Sequence, residues 1–282
     1  MKYAVIEQAK DVYPVSRLCE FLEVSQSGYY DWQKRDPSQR ASEDAELKAI
    51  IVDIWEASHR IYGLPRIHDA LRERGIQIGK QRLARLMHEA GVQGKMPRRK
   101  RPRTTQRDDS HPVALNVLNR QFGVTERNAV WLTDITYIET DEGYLYTAGV
   151  MDLGSREIVG LAMADHMRTE LTLKALEMAV VQQRPDPGLL HHSDRGSQYT
   201  SADYQQHVTD CGMIASMSRT GNCLDNAPME SFWATLKREC ADEVFASRQA
   251  ARTAIFHYVM GFYNRSRRHS ALGYQTPQSY AA

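Results

Sequence analysis

Cysteine is scarce in this 282-residue chain: Cys19, Cys211, Cys223 and Cys240 are the whole complement. No two of them form a CxxC pair, so neither a zinc site nor a disulfide framework is indicated, and the thiols are expected to be reduced, as in a cytosolic protein. No apolar run approaches the roughly eighteen residues that mark a membrane-crossing helix. The opening MKYAVIEQAK lacks the layout of a secretory leader. Membrane insertion and export are therefore not expected. Internal repeats and long low-complexity tracts are also missing. Net charge is close to nil, with 36 Lys and Arg against 35 Asp and Glu. That balance hides an asymmetry: residues 1–107 hold 21 basic and 14 acidic side chains, and residues 108–282 hold 15 and 21. A basic front joined to an acidic back suggests a polyanion-binding region attached to a carboxylate-rich one.

The front of the chain has helical signals. Residues 1–36 contain VSRLCEFLEVSQSGYYDWQKR, with Ser25 and Ser27 as candidate N-caps. This stretch fits a helix-turn-helix or a plain helical hairpin. Residues 37–94 form a second helical block. One helix is expected over about 42–58. Another begins near Pro65 and ends near Arg74 before Gly75, and a third runs from about Gly79 to Ala90 before Gly91. The third helix has Leu83, Leu86 and Met87 on its apolar side and Lys80, Arg82 and Arg85 on the other. That pattern suits either a recognition helix in a major groove or a bundle with a solvated basic face. Residues 95–121 read as a basic linker, in which Arg98, Arg99 and Arg101 could neutralise DNA phosphates.

From 122 to 240 the pattern changes. AVWLTDITYIE, YLYTAGVMDL and EIVGLAMA are β-prone runs separated by DEG and LGSR turns. A helix is expected over about 169–184, then a buried strand GLLHHS, a helix at about 201–211 and a short strand near 213–217. This order predicts a mixed sheet covered by helices. Three acids sit where a carboxylate is awkward. Asp134 interrupts the first apolar strand, Asp194 follows the fourth, and Glu230 opens the helical stretch MESFWATLKREC. Oxygen ligands brought together from two strand ends and a helix are suited to holding two divalent cations for phosphodiester chemistry. Converging carboxylates also repel, so at least one pKa is expected to rise without metal. Glu139, Asp141, Glu142 and Glu239 read as solvated charges, Asp152 as a turn cap, and Asp225 as a loop hydrogen-bonder. His191 and His192 read as packed strand residues. Residues 241–282 form a helical and basic extension in which Arg265, Arg267 and Arg268 stand beside Tyr263 and Tyr274, a combination fit for phosphate contact.

The segments HHSDRGSQYTS, MSRTGNCLDNAPMESFWATLKRE and YNRSRRHSALGYQTPQSY resemble the downstream-frame (OrfB) product of the IS-three family of bacterial insertion sequences, within the retroviral-integrase superfamily. The resemblance spans nearly the whole chain and is most specific over 130–240. It implies a ribonuclease-H-like core, that is, a mixed five-stranded sheet with helices on both faces, preceded by helix-turn-helix modules. It implies a catalytic and metal-binding set of Asp134, Asp194 and Glu230 with two Mg²⁺ or Mn²⁺ ions, and DNA contact near the cut by Lys237. The implied activity is 3′-end strand cleavage and strand transfer by a DNA transposase, through a circular copy-out intermediate. The implied partners are double-stranded DNA, further copies of the chain (at least a dimer), and the upstream-frame OrfA protein or an OrfAB fusion. The implied setting is the bacterial cytoplasm, at the nucleoid. The His-His-Cys-Cys zinc module of the retroviral relatives is missing. Two rival readings stay open: a DNA-binding regulator with a silent core, and a ribonuclease-H-like nuclease that hydrolyses without joining.

Overall fold

The computed structural model describes residues 2–36, 38–96, 114–219 and 223–281. Three short helices come first: α1 (Lys2–Ala9), α2 (Val15–Phe21) and α3 (Gln26–Lys34). They close around Ile6, Cys19 and Tyr29. Of the two candidate caps it is Ser25 that serves, its Oγ accepting from Gly28 N at 3.0 Å. The next three are α4 (Gln39–Ala57), α5 (Leu64–Glu73) and α6 (Lys80–Glu89). Their punctuation follows the sequence. Pro65 lies in the first turn of α5, and Gly75 and Gly91 take the positive φ of helix ends (77° and 68°). Ile51, Ile67, Leu71, Leu83 and Leu86 are buried between these helices.

The sheet is built from β1 (Val130–Ile138), β2 (Leu145–Asp152), β3 (Ile158–Ala164), β4 (Leu190–Ser193) and β5 (Ile214–Met217). Their order is β3-β2-β1-β4-β5. The first three strands are antiparallel neighbours, and β4 and β5 run parallel to β1. The parallel crossovers are made by α7 (Thr169–Gln183), which returns the chain from β3 to β4, and by α8 (Ser197–Thr200) with α9 (Ala202–Asp210), which connect β4 to β5.

Strand alternation sorts the two faces. Trp131, Ala148, Val150 and Val159 pack on α7 and on Tyr199 and Tyr204. Leu132 and Met151 face the other way, toward α10 (Ala227–Glu239) and α11 (Arg248–Phe256). This is the expected mixed five-stranded sheet with helices on both faces. Buried residues of α4–α6 belong to the same apolar cluster as α10 and α11, so the helical domain and the sheet domain share a core. After α11 the helix widens into a π-helical segment, His257–Tyr263. Phe262 there packs edge-on against His59 and beside Tyr62. The tail then ties back to α5. Arg268 pairs with Asp69 at 2.6 Å and with Glu73. No helix among the described residues is long and apolar enough to cross a membrane.

Candidate active site

Register brings the two aspartates together. Leu132 of β1 is paired with His192 of the adjacent parallel β4. Asp134 and Asp194 each lie two residues further along: Asp134 falls midway along β1, not at the strand end expected, and Asp194 just past the end of β4, so the register carries them level, about 5 Å apart in backbone. Both are half-buried. Desolvation raises Asp134 well above the ordinary carboxylate range, with the charge of Asp194 the next cause and that of Glu230 a smaller one. Burial likewise raises Asp194, while the Gly196 amide, donating to Oδ1 at 2.9 Å, holds it back. The rise expected of unmetallated, converging acids is thus present.

Glu230 lies in the first turn of α10 and is exposed. Its charge is felt at Asp134. Among the described residues, no group of three or more His, Cys, Asp or Glu side chains stands close enough to hold a metal ion. The structure therefore pairs Asp134 with Asp194 and sets Glu230 at the rim.

A scaffold that sequence reasoning did not find surrounds Asp134. Trp233 of α10 donates its indole Nε1–H to Asp134 Oδ2 at 3.1 Å. The indole can come this close because the residue opposite Asp134 on β2 is Gly149. A Cβ there would lie 2.9 Å from the Trp233 ring. Thr133, one residue earlier and on the opposite face, bonds the Tyr199 hydroxyl at 3.2 Å, and its carbonyl accepts from Asn226 Nδ2 at 3.0 Å. The signal available in the sequence was spacing: Trp233 follows Glu230 by three residues, hence on the same helical face.

Lys237 is half-buried, its ammonium 4.5 Å from the centre of the Tyr137 ring. Burial lowers its pKa, opposed by the charges of Asp134 and Glu139. It thus stands within electrostatic reach of Asp134 on the site's edge.

The other acids fall out as follows. Asp152 is fully buried and caps its turn by accepting from Asn128 N and Ser155. Asp225, also fully buried, accepts from Arg219, Arg120 and Asn116, and the Arg219 guanidinium holds its carboxyl far below the usual range. Glu239 overturns its reading as a surface charge. It is 5% exposed and accepts from Arg267 on both oxygens, with Tyr258 and Arg238 adding to it. His191 bonds the Tyr204 hydroxyl, and His192 bonds Ser216 and Ser218. Burial lowers both to about 4, so they are neutral packed histidines.

The residues expected at DNA are distributed unevenly. Lys80 and Arg265 are exposed. Arg82 and Arg85 both bond Asp44 of α4, and Arg85 also bonds Glu89. They therefore stitch the bundle together, where the bundle reading expected a solvated basic face. Arg267 is corrected outright: at 3% exposure, with its guanidinium held by Glu239, it offers nothing to a polyanion. Arg268 is committed to Asp69 and Glu73. Arg98, Arg99 and Arg101 lie outside the described residues.

Sheet order and the paired aspartates define an integrase-type core carrying helical modules. Residues 124–223 and 212–277 each match an integrase core domain family, and residues 41–100 match an HTH-like domain family. The chain is 47% identical over 264 residues to the insertion element IS600 31 kDa protein of Shigella sonnei, covering 93% of this chain and 97% of that one. It is 36% identical over 283 residues to transposase InsF for insertion sequence IS3A of Escherichia coli K12, covering 99% and 98%. The chain therefore belongs to the IS3 family of insertion-sequence transposases. A chain in the simian T-cell lymphotropic virus intasome, in complex with a phosphatase regulatory subunit, aligns over 82% of this chain and 74% of its own. At TM-score 0.48 and 13% identity that likeness adds nothing to the fold already described.

Proposed function

We propose that this protein is the catalytic subunit of a DNA transposase that cuts a strand at an element end and joins the resulting 3′-hydroxyl to a second phosphodiester. In the joining step the 3′-oxygen forms a new bond to phosphorus as another 3′-oxygen leaves, so one phosphodiester replaces another. The observation that carries this reading is the pair Asp134 and Asp194, level on adjacent strands, desolvated and mutually repelling, with Glu230 contributing at the rim.

The donors fit a hard divalent cation: all are carboxylate oxygens, and their raised pKa values mark a site that added positive charge would relieve. Mg²⁺ or Mn²⁺ held by Asp134, Asp194 and Glu230, two ions per site, would supply Lewis acidity and a lowered pKa for the attacking oxygen. The chain's own groups hold the site in shape. The Trp233 indole fixes one oxygen of Asp134, and the Gly196 amide fixes one of Asp194. Lys237 is set to meet a phosphate beside Asp134. Lys80 and Arg265, both exposed, are the further phosphate contacts we assign. Double-stranded DNA is the substrate we assign. Because two element ends must meet, the active form is at least a dimer, and the upstream-frame OrfA protein, or its fusion to this chain, would add end recognition.

The test is a strand-joining assay with a pre-cleaved end and a target duplex in Mg²⁺ or Mn²⁺. Wild type should give joined product, and Asp134→Asn, Asp194→Asn and Glu230→Gln should each reduce it by at least about 100-fold. Variants that join as well as wild type would end the proposal. Hydrolysis without joining would assign a nuclease.

A further inference from the structure

A cleft of about 990 Å³ opens where the helical domain meets the end of α10 and the C-terminal tail. Arg66, Lys95 and Arg238 line it, and Glu239 is the one acid among its lining residues. Glu239 is already occupied, since Arg267 and Arg238 both bond it. Lys95 is partly compensated by Asp242 at 3.2 Å. Arg66 has no paired carboxylate among the described residues. Its Nε donates to the Arg268 carbonyl at 3.0 Å, and its guanidinium lies over the Tyr62 ring. Burial, and then the neighbouring Arg267 cation, push its pKa down, with the charge of Glu239 opposing them. Two guanidiniums, Arg267 and Arg238, therefore share one carboxylate, and Arg66 beside them has none.

The cleft has a constructed floor. A Cβ on Gly94 would stand 2.7 Å from Gly63 Cα, so only glycine lets the chain after α6 lie flat against the start of α5. Lys95 N donates to Ile61 O there at 3.3 Å. Helix α5 opens at Gly63 with no side-chain cap, so the positive end of its dipole faces the same space, although Pro65 brings no N–H to it.

We propose that this cleft grips the phosphate backbone of DNA running from the helical domain to the catalytic helix, with Arg66 and Arg238 as phosphate contacts. The proposal rests on the transposase reading for its choice of polyanion. Size and position favour a polymer over a free anion. The space is many times the volume of one phosphate. Arg238 lies eight residues beyond Glu230 on α10, roughly 12 Å along the axis, or about three to four nucleotide steps of one strand. The contrast with Arg82, Arg85, Arg267 and Arg268 is electrostatic: each of those has its own carboxylate, whereas Arg66 has none and Arg238 has only a share of Glu239, both of whose oxygens accept from Arg267.

The experiment uses the full chain and a duplex of arbitrary sequence, with binding followed by fluorescence anisotropy across a salt series. Arg66→Gln and Arg238→Gln should each weaken binding to all sequences alike and reduce the slope of log K against log salt by about 1. Arg66→Lys, which keeps the charge, should retain the wild-type slope. Melting curves identify any variant that has lost its fold, and Arg238→Gln then decides, because Arg267 still holds Glu239. Wild-type slopes in both glutamine variants would overturn the proposal. Inorganic phosphate raising the melting temperature of wild type but not of Arg66→Gln, with slopes unchanged, would assign the cleft to a free anion and overturn it as well. The joining assay separates the two readings. Joining that depends on Asp134 alongside unchanged slopes sinks the cleft alone. Lost slopes in a chain that never joins strands sink the transposase reading and leave the cleft.

Discussion

Asp134 accepts from an indole on one oxygen and faces a second carboxylate across a strand gap. In the metal-free fold this arrangement opposes stability. An acid whose pKa is raised on folding binds more protons folded than unfolded, so stability falls as pH rises through and above the ordinary carboxylate range. Asp134→Asn keeps an oxygen for the Trp233 indole and removes the charge. We expect the metal-free variant to be more stable than wild type at neutral pH by about 1–2 kcal/mol, a rise of about 2–6 °C in melting temperature. It should also have a shallower downward slope with pH, since Asp194 stays raised by burial, and Mg²⁺ should stabilise wild type but not the variant. Calorimetry with and without the ion, from pH 5 to 8, checks all three. A variant less stable than wild type would mean that Asp134 is a structural acid. Gly149 shows a different kind of dependence at the same scale. It contributes no chemistry, but a methyl group there would push away the ring that orients Asp134.

At the scale of elements, α10 carries two jobs on one thirteen-residue helix. Its first turn presents Glu230 to the site, and its last residue, Glu239, anchors the tail. Burial pushes Glu239 up, but Arg267, Tyr258 and Arg238 outweigh it and hold it at about 2. A depressed acid stabilises the fold above its unfolded pKa, near 4.3, and loses that contribution as pH falls toward 2. Glu239→Gln should cost about 3–5 kcal/mol at neutral pH by leaving Arg267 buried and unpaired. It should also flatten the acid limb between about pH 5 and 2, as read by urea melts in a pH series. The strands and helices were legible because period and punctuation are local: alternation in AVWLTDITYIE, Pro65 before a helix, Gly75 and Gly91 after one. The level placement of Asp134 and Asp194 was legible as a resemblance, and register now supplies its physical cause. Glu239 and Arg267 misled because their burial depends on a partner 28 residues away, and nothing in LKREC distinguishes a surface acid from an anchor. Trp233 went unnoticed as a site residue for the same reason. Its partner, and the glycine that admits it, lie on two other elements.

At the scale of the whole molecule, the tail fastens the helical domain to the sheet domain. Arg268 spans nearly 200 residues of sequence to reach Asp69, and Tyr62 donates to the Ser266 carbonyl at 3.0 Å. Arg268→Ala should destabilise the chain by about 1–3 kcal/mol. Hydrogen exchange should rise first in α5 and in the tail, with β1 and β2 protected as before. Uniform loss of protection would instead mean that the contact supports one cooperative unit.

The π-helical segment at 257–263 makes chain length itself a constraint. Its wide turn is seen where Asn264 N reaches Val259 O at 3.0 Å. Rewound at the same length to ordinary helical pitch, the seven residues would swing everything downstream by roughly 100°. Asn264, which bonds both N–H and C=O of Ile158 at the sheet's edge, would turn away, and so would Arg267 and Arg268. The wide turn therefore absorbs one residue that an ordinary helix could not hold in phase, and that is what lets the lock close.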